Sequence, residues 1–468
     1  MQTRDVDVAV IGAGSAGLAA YRGALETTQN VVLIEGGRHG TTCARVGCMP
    51  SKLLIAAAEA AHAASVAPEF GVQTGTVAID GRAVMDRVRR ERDRFTGFVL
   101  ESVDNIPAQH KLTGTARFVD DHILDVGGQT RVVAKRIVIA TGSAPAWPRH
   151  LEAAGDRLVV NDHIFDWEDL PERIAVFGPG VIGLELGQAL HRLGVRVHMF
   201  GIDSMVGPLT DPKIREYAEQ SFADEFFLDA NARVTRIERQ DDEVLISFAN
   251  AAGEIETIVV DYLVAATGRR PNVFELGLEN TTLPLDERGI PPVDETTMQI
   301  GESHVFLAGD ATHTKPLLHE AADEGRIAGR NAGRFPVISP GQRRSPLGVV
   351  FSDPQIAMVG SSFRELQHRQ VVTGRVSFEN QGRSRVMLKN RGLLHVYADA
   401  NTGRFLGAEM IGPGAEHIGH LLAWSHQSGH TIEDMLAMPF YHPVVEEGLR
   451  TALRDACAQL GDCGLRAA

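Results

Sequence analysis

One pattern of strand, glycine loop, helix and strand occurs twice in the chain. Residues 6–11 (VDVAVI) form an apolar run, GAGSAG follows, a helical segment covers about 15–28, and a second apolar run at 31–34 precedes Glu35. The pattern returns at 172–200 as ERIAVF, GPGVIG, LELGQALHRLG and VRVHMF. Each copy predicts a βαβ unit whose strands are buried in a parallel sheet. The sequence therefore predicts an α/β protein with two Rossmann-like dinucleotide-binding domains.

The first glycine loop has the residues that a bound dinucleotide requires. Gly12 permits the tight turn, Gly14 lets the backbone approach a pyrophosphate, and Gly17 allows close packing of helix against strand. The following helix presents unpaired N–H groups and the positive end of its dipole to the phosphates. Glu35 lies 23 residues after Gly12, where a carboxylate can accept both hydroxyls of an adenosine ribose. We predict a tightly held dinucleotide here.

The second loop, formed by Gly178, Gly180 and Gly183, has the same context but lacks the acid. Counting 23 residues from Gly178 reaches Gly201. No arginine is close enough in sequence to bind the 2′-phosphate of NADP, and Asp203 would repel that phosphate. We therefore predict an exchanging NAD at this loop, with NADP not excluded.

The rest of the chain indicates three domains. The first dinucleotide-binding domain is predicted at 1–150 and 270–340, with the second inserted in it at 151–269. From about 345 the pattern changes to strand runs (GVVFSDPQIAMVG, RSRVMLKN, GLLHVYAD) mixed with helices at 414–430 and 444–460. This predicts a C-terminal α+β domain at 345–468.

Composition narrows the class of partner. The 468 residues carry a net charge of −14, which argues against a nucleic-acid or anionic-membrane surface. No window approaches the roughly 20 apolar residues that cross a bilayer, and no signal-peptide pattern precedes the first strand. Four cysteines are too few for a disulfide framework in a chain of this length. We expect a cytoplasmic protein that binds neither nucleic acid nor membrane.

Two of the cysteines lie in TTCARVGCMPSK, at positions 43 and 48. A zinc site would need further Cys or His ligands at matching spacing, so no metal site is predicted. A structural disulfide closing so short a loop would constrain little of the unfolded chain. On a regular helix, residues five apart have Cα atoms about 8 to 9 Å apart, beyond the roughly 7 Å that a disulfide spans. If Cys43 and Cys48 are bonded, the helix must be distorted there, and Gly47 gives the freedom to do so. A strained local disulfide is easily reduced, which favours a redox role.

This segment resembles the redox-active segment of the class I pyridine nucleotide–disulfide oxidoreductases, and the resemblance covers nearly the whole chain. Besides both glycine loops it rests on IATG at 139–142, ATGRRPN at 266–272, FLAGDA at 306–311, FSDPQIAMVG at 351–360 and YHPVVEE at 441–447. It implies FAD at the first loop, NAD(P) at the second, and a C-terminal dimerisation domain. The implied assembly is a homodimer whose active site is shared between subunits.

The resemblance also implies a role for individual residues. Cys43 would be the thiol that exchanges with substrate, and Cys48 the thiol nearest the flavin. Lys52 would lie near the flavin ring and pair with Glu185, because a cation there stabilises the reduced anionic flavin. Further residues are predicted to bind the cofactors: Thr141, Gly142, Gly268 and Asp310.

A base is also required, because thiol–disulfide exchange needs a thiolate. The resemblance implies His442 as that base, supplied by the partner subunit, with Glu447 orienting the imidazole as the acid of a triad does. This sequence reads HPVVEE where the family usually has HPT, so Glu446 adds a second acid.

The substrate is the least determined part of the prediction. PSK after Cys48, IGLE after the second loop and His319 resemble the dihydrolipoamide dehydrogenase branch, which acts on a small-molecule or lipoyl-domain dithiol. CARVGCM departs from that branch's asparagine-containing form. The alternatives are an NAD(P)H-dependent reductase of another disulfide or of a metal ion, and a flavin transhydrogenase or oxidase. Cys457 and Cys463 could form a C-terminal thiol relay, as in some members of the family.

Overall fold

The structure, a computed structural model, describes residues 2–461, so Cys463 of the hypothetical thiol relay lies outside the described residues. The strands are β1 (Gln2–Ile11), β2 (Val31–Glu35), β3 (Lys111–Thr113), β4 (Ala116–Phe118), β5 (Ile123–Val126), β6 (Thr130–Ile139), β7 (Ser143–Pro145), β8 (Leu158–Val159), β9 (Arg173–Phe177), β10 (Arg196–Phe200), β11 (Phe227–Asp229), β12 (Arg233–Gln240), β13 (Glu243–Ala249), β14 (Ile255–Val260), β15 (Tyr262–Ala265), β16 (Arg269–Pro271), β17 (Val305–Leu307), β18 (Leu347–Val350), β19 (Gln355–Gly360), β20 (Val371–Ser377), β21 (Leu393–Asp399) and β22 (Phe405–Gly412).

The α-helices are α1 (Ser15–Leu25), α2 (Thr42–Val46), α3 (Cys48–Val66), α4 (Gly81–Asp104), α5 (Asn161–Ile164), α6 (Val181–Arg192), α7 (Pro212–Ala223), α8 (Leu318–Arg334), α9 (Phe363–Leu366), α10 (Gly382–Val386), α11 (Ala415–Gln427), α12 (Ile432–Leu436) and α13 (Glu447–Leu460). Short 3-10 helices lie at Ala67–Phe70, Ala108–His110, Arg149–Arg157, Leu278–Asn280 and Gly309–Thr312. Among residues 2–461, no helix is long and apolar enough to cross a membrane.

The residues divide into two compact units. The first consists of Met1–Pro50, Arg87–Ala146 and Gly268–Arg343, and the second of Ser51–Asp86, Trp147–Thr267 and Arg344–Ala468. The three domain boundaries expected from the sequence stay a prediction.

The first unit contains the sheet that carries the first glycine loop. Its strand order is β3-β2-β1-β6-β5-β4, with β17 beside β6, and β1 pairs in parallel with both β2 and β6. Side chains of β1 alternate between two apolar clusters. Ala9 and Ile11 pack on one face of the sheet, and Val8 and Val10 on the other. Burial on both faces explains why the sequence of this strand is continuously apolar.

The second unit contains the sheet that carries the second glycine loop. Its order is β11-β10-β9-β15-β8, and all its pairings are parallel. A three-stranded antiparallel sheet, β12-β13-β14, contributes Phe248 to the apolar cluster that contains Phe177 of β9 and Phe200 of β10. The aromatic rings of this cluster lie edge-on or tilted to one another, as packed aromatic side chains prefer.

The C-terminal part of the second unit is an antiparallel sheet in the order β18-β19-β22-β21-β20. Helices α11 and α13 pack against it, with Ile418 and Leu453 in the same cluster as Val396 of the sheet. The strand expected at RSRVMLKN was wrong, because Gln381 caps a short helix there: its Oε1 accepts the N–H of Ser384 at 2.7 Å. The predicted fold class, two Rossmann-like units with a C-terminal α+β region, is confirmed.

Candidate active site

The two glycine loops have the same local geometry. Gly12 and Gly178 both have φ of +103°, in the left-handed region that favours glycine. A Cβ on Gly12 would lie 2.3 Å from the carbonyl oxygen of Ala140, so the turn also requires the missing side chain. Apart from the adjoining backbone, no atom of residues 2–461 lies within 4 Å of the Cβ position of Gly14 or of Gly180. Each of these glycines, the N-cap of α1 or α6, thus leaves open space for a phosphate at a helix N-terminus.

Glu35 lies at the end of β2, beside the first loop. Its Oε2 accepts the N–H of Ala13 at 2.7 Å, and its Oε1 accepts the N–H of Gly37 at 2.8 Å. A carboxylate has about four acceptor positions, so these two bonds leave capacity for ribose hydroxyls. The carboxylate is therefore oriented before a dinucleotide binds.

The strands that follow the two ATG segments pair in the first unit. Strands β7 and β16 pair antiparallel directly after Gly142 and Gly268. Asn272 connects them further, because its N–H donates to the Gly142 carbonyl at 2.9 Å and its Nδ2 to the Thr141 carbonyl at 3.0 Å. The Thr141 hydroxyl oxygen is buried and finds no hydrogen-bond partner among the described residues. A cofactor group with a hydrogen-bonding atom would satisfy it.

Asp310 is held by a chain of hydrogen bonds that the sequence did not suggest. The Ser143 hydroxyl donates to Asp310 Oδ2 at 2.8 Å, and the guanidinium of Arg269 donates to the same hydroxyl oxygen at 2.8 Å. Arg269 also donates to the Ser143 carbonyl at 2.7 Å. In the sequence, Ser143 directly follows the first ATG segment and Arg269 directly follows the second, and this repeated position could have indicated that both residues belong to the site.

Glu324 holds the backbone next to Asp310. Its Oε2 accepts the N–H of Gly309, the neighbour of Asp310, at 2.8 Å, and its Oε1 accepts from Arg343 at 2.9 Å. Burial raises the pKa of Glu324 above its ordinary value, against the opposing charge of Arg343. Arg343 also binds Glu320 at 2.6 Å. The proline-rich segment around 334–347 is thus tied to α8 by a partly buried arginine.

The cysteine segment is broken at Gly47, as the disulfide argument required. Cys43 lies in α2, which ends at Val46, and Cys48 is the first residue of α3. A Cβ on Gly47 would lie 3.1 Å from the Thr42 carbonyl oxygen and 3.3 Å from the Cα of Cys43. Glycine therefore allows the close approach of the chain at this break.

Thr41 begins α2 in an unusual conformation. Its φ is 59° and its ψ 151°, a region that is essentially limited to glycine. Its hydroxyl oxygen accepts the N–H of Ala44 at 3.3 Å and so caps the helix that carries Cys43. Backbone strain of this kind concentrates at functional sites.

Lys52 and Glu185 form an ion pair in the second unit. The Lys52 ammonium donates to the two carboxylate oxygens at 2.7 and 2.8 Å. Glu185 is buried and its Oε1 also accepts the N–H of Phe351 at 3.0 Å, while the ammonium lies 4.5 Å from the centre of the Phe351 ring. Because Lys52 follows Cys48 by four residues in α3, both side chains point to the same helix face. Phe351 belongs to the FSDPQIAMVG motif, but the sequence did not assign it a role.

His442 and Glu447 are close together in the second unit. The Nδ1 of His442 lies 3.1 Å from one carboxylate oxygen of Glu447 and 3.2 Å from the other. The hydrogen bond with His442 lowers the pKa of Glu447, which keeps the carboxylate ionised. The imidazole itself is exposed. Glu446, the extra acid of HPVVEE, precedes α13 as its N-cap residue.

His319 is the second residue of α8, and its Nε2 is buried without a hydrogen-bond partner among the described residues. Its part in catalysis stays a prediction. The assignments of the cysteines, the base and the cofactor-binding residues stay predictions as well, because their roles depend on molecules that bind to them.

Comparison with known proteins shows the family to which the chain is similar. The family model described as pyridine nucleotide-disulphide oxidoreductase matches residues 6–325, and the one for the dimerisation domain of the same family matches residues 347–453. A mercuric reductase of Streptomyces lividans is 31% identical over 95% of this chain and 95% of its own length. Dihydrolipoyl dehydrogenase 3 of Pseudomonas aeruginosa is 30% identical, over 96% of this chain and 97% of that one.

Solved structures give the same fold. LpdA from Mycobacterium tuberculosis is similar with a TM-score of 0.81 and 25% identity, covering 96% of this chain and 99% of that one. The HOCl-induced flavoprotein disulfide reductase RclA from Escherichia coli has a TM-score of 0.79 and 22% identity, covering 97% and 99%. At that identity, the second similarity concerns the fold alone.

Proposed function

Because the chain belongs to the pyridine nucleotide-disulphide oxidoreductase family, whose members are FAD-dependent and NAD(P)-linked enzymes, we propose that it oxidises dihydrolipoamide, free or on a lipoyl domain, with NAD⁺. The observation that carries the disulfide chemistry is the helix break at Gly47 between Cys43 and Cys48. Dihydrolipoamide is preferred because the pair of Lys52 in PSK and Glu185 in IGLE resembles that branch, and because relatives with that name align over nearly their whole length.

In the proposed reaction, one thiolate of the dithiol attacks the Cys43 sulfur of a Cys43–Cys48 disulfide. A mixed disulfide forms and Cys48 leaves as a thiolate. The second substrate thiol loses its proton to His442, and its sulfur attacks the substrate sulfur of the mixed disulfide, which releases Cys43 as a thiolate. The product is the cyclic disulfide, and two electrons remain on the cysteine pair.

FAD supplies the redox chemistry that connects this cysteine pair to the nicotinamide. The first loop, Glu35, Thr141 and Asp310 are the residues that would hold it. Lys52 would offer a positive charge near the flavin ring, and Glu185 would keep that ammonium in position. The glycines at 178, 180, 183 and 268 would hold the pyridine nucleotide.

We propose that the enzyme works as a homodimer in which His442 serves the cysteines of the partner subunit. The match of residues 347–453 to a dimerisation domain supports this assembly. The exposure of His442 and of its neighbour Tyr441, at 79%, supports it too, because both side chains are accessible to a second subunit.

A second candidate is reduction of Hg²⁺ by NAD(P)H. It is favoured by relatives named mercuric reductase that are about as similar as the dihydrolipoyl dehydrogenases. Arg45, in place of the asparagine usual in the dihydrolipoamide branch, also separates this chain from that branch.

Steady-state turnover of the purified holoenzyme decides between the two. We expect NAD⁺-dependent oxidation of dihydrolipoamide to be faster than NADH- or NADPH-dependent reduction of glutathione disulfide, thioredoxin or Hg²⁺. Cys48→Ser should abolish dihydrolipoamide turnover but keep NADH-dependent reduction of ferricyanide, which needs the flavin alone. No turnover of lipoamide in either direction would overturn the substrate assignment. Retained lipoamide turnover in Cys48→Ser would overturn the disulfide mechanism.

A further inference from the structure

We propose that Pro179 and Gly201 determine nucleotide discrimination at the second loop, and that through them this chain binds NADP⁺ about as well as NAD⁺. The inference rests on the use of NAD(P) by the family, as the proposed function does, but not on the identity of the disulfide substrate. It comes from comparing the two glycine loops of the same chain.

The loops correspond residue by residue. The N–H of Gly12 donates to the carbonyl of Ile34 at 2.7 Å, and the N–H of Gly178 donates to the carbonyl of Phe200 at 2.8 Å. Ala13 and Pro179 follow these glycines, and both are buried. The residue 23 positions after the first glycine is Glu35 in one copy and Gly201 in the other.

In the first loop, the backbone holds the ribose-binding acid. The N–H of Ala13 donates to the Glu35 carboxylate at 2.7 Å. The backbone carbonyl of Glu35 accepts the N–H of Gly114 at 2.9 Å, so both the main chain and the side chain of the acid are fixed.

In the second loop, both partners of that hydrogen bond are absent. Pro179 has no N–H to donate, and Gly201 has no side chain to accept. A Cβ on Gly201 would lie 2.7 Å from Cγ and 2.9 Å from Cδ of the Pro179 ring, too close for any side chain, and 3.1 Å from the Cα of Ala230, a contact that a shift of a few tenths of an ångström relieves. The backbone of Gly201 is nevertheless in the expected place, because its carbonyl accepts the N–H of Ala232 at 2.9 Å. Pro179 therefore excludes an acid at position 201.

The consequence concerns the 2′ position of the adenosine ribose. A carboxylate there accepts the ribose hydroxyls of NAD and repels the 2′-phosphate of NADP, whereas an arginine attracts that phosphate. The segment 197–212 contains neither arginine nor lysine. Asp203, its nearest acid, is exposed two residues beyond Gly201, next to Ser204, whose N–H donates to Asn231 at 2.8 Å. With neither group at position 201, and with the charge of the exposed Asp203 screened by solvent, the two nucleotides differ little in affinity, in contrast to the NAD expected from the sequence alone.

Binding to the oxidised, FAD-loaded enzyme tests this without turnover. We expect dissociation constants of NAD⁺ and NADP⁺, measured by isothermal titration calorimetry, to differ by less than about tenfold. The double variant Pro179→Ala/Gly201→Glu restores both partners, because alanine provides the N–H and keeps the carbonyl that accepts from Gly207 at 2.7 Å. It should weaken NADP⁺ relative to NAD⁺ by about 100-fold.

Pro179→Ala/Gly201→Gln is the matched control, with the same size and no charge, and it should leave the ratio near that of the unchanged protein. FAD content and melting temperature report whether each variant folds. If the unchanged protein binds either nucleotide more than 100-fold better, the proposal is wrong, whatever the variants do. It is also wrong if Asp203→Asn tightens NADP⁺ binding more than tenfold, since that acid would then discriminate. If the unchanged protein binds NAD⁺ and NADP⁺ as expected but does not turn over lipoamide, only the proposed substrate is contradicted.

Discussion

The ammonium of Lys52 and the carboxylate of Glu185 form a two-point ion pair, with both N–O distances below 3 Å. The residues are separated by 133 positions in the sequence. Lys52 keeps about a third of its side chain exposed, whereas Glu185 is 5% exposed. A buried carboxylate thus orients a cation that follows Cys48 on the same helix.

We expect Glu185→Gln to lower the free energy of unfolding by about 1 to 3 kcal/mol, because a charged hydrogen bond and the counter-ion of Lys52 are lost. Turnover should fall by about tenfold or more, since the ammonium loses its fixed position. Glu26→Gln is the control, because Glu26 pairs with Arg330 at 2.8 Å with 39% of its side chain exposed. That change should cost less than about 1 kcal/mol. Equal effects of the two variants on denaturant unfolding and turnover would contradict the special role of Glu185.

His442→Gln should lower dihydrolipoamide oxidation by about 10² to 10⁴, the usual contribution of a positioned base. NADH-dependent ferricyanide reduction should stay within about twofold. Glu447→Gln should have a smaller effect, because the base remains but loses its orientation. His417→Gln is the control: its Nε2 lies 3.7 Å from Glu416 in another exposed His–Glu pair. A comparable loss in that control would show that the effect is not catalytic.

Gly47→Ala should reduce turnover by at least about tenfold, because the added methyl group crowds the Thr42 carbonyl and Cys43 and displaces one thiol from the other. Gly97→Ala tests the same change inside α4, where, beyond the backbone of the helix itself, no atom of the described part of the chain lies within 4 Å of the new Cβ. There alanine should stabilise the protein by about 0.5 to 1 kcal/mol and leave turnover unchanged. Kinetics and thermal unfolding of both variants measure this. Full activity of Gly47→Ala would mean that the break tolerates a side chain.

Thr41→Gly should be more stable than Thr41→Ala by about 1 kcal/mol or more. Both variants lose the hydroxyl cap, but only glycine relieves the left-handed backbone. Thr431 provides the comparison, since it caps α12 through the N–H of Asp434 at 3.1 Å with a φ of −84°. At position 431 the difference between glycine and alanine should be smaller. Urea unfolding of the four variants measures the difference between glycine and alanine at each position. Equal differences at positions 41 and 431 would show that the backbone of Thr41 is not strained.

The ionised carboxylate of Asp211 should make the free energy of unfolding depend on pH in the acidic range. Its Oδ2 accepts from His395 Nδ1 at 2.7 Å and from the Tyr397 hydroxyl at 3.0 Å. Burial is the largest single influence and opposes ionisation, but the hydrogen bonds from His395, the Lys213 N–H and Tyr397, together with the charge of His395, outweigh it, so the pKa of Asp211 is lowered. A carboxyl group whose pKa is lower in the folded protein stabilises the fold at any pH above its unfolded pKa, which is about 3.9 for aspartate. This stabilisation is lost as the pH falls through the lower pKa of the folded state.

We therefore expect Asp211→Asn to lower the free energy of unfolding by about 3 kcal/mol at pH 7 and by less near pH 3. Urea unfolding at pH 7, 5 and 3 measures the difference between the two proteins. If the difference in the free energy of unfolding does not become smaller as the pH falls, Asp211 acts through its shape or as the N-cap residue of α7, and not through its charge.

The local architecture could be predicted from sequence because it depends on neighbouring residues. Helix α11 is one example: the interval predicted for it, 414–430, contains the helix of the structure, Ala415–Gln427. The strand expected at RSRVMLKN failed for the opposite reason, because a side-chain cap at Gln381 outweighed strand propensity. The supporting residues of Asp310 were missed because the contacts are distant in sequence: Ser143 lies 167 positions from Asp310 and 126 positions from Arg269.

The sequence by itself determined the two βαβ units, the glycine loops, the cysteine pair and the candidate base, because spacing, periodicity and turn residues act over short distances. Only the tertiary structure decided how Arg269, Ser143 and Asp310 connect, how Phe351 joins Lys52 and Glu185, and why no acid fits beside Pro179. These contacts join residues that are far apart in the chain, and they depend on the packing of whole elements. The absence of an acid at position 201 is visible in the sequence, but its cause, a proline ring against a glycine, becomes visible only in three dimensions.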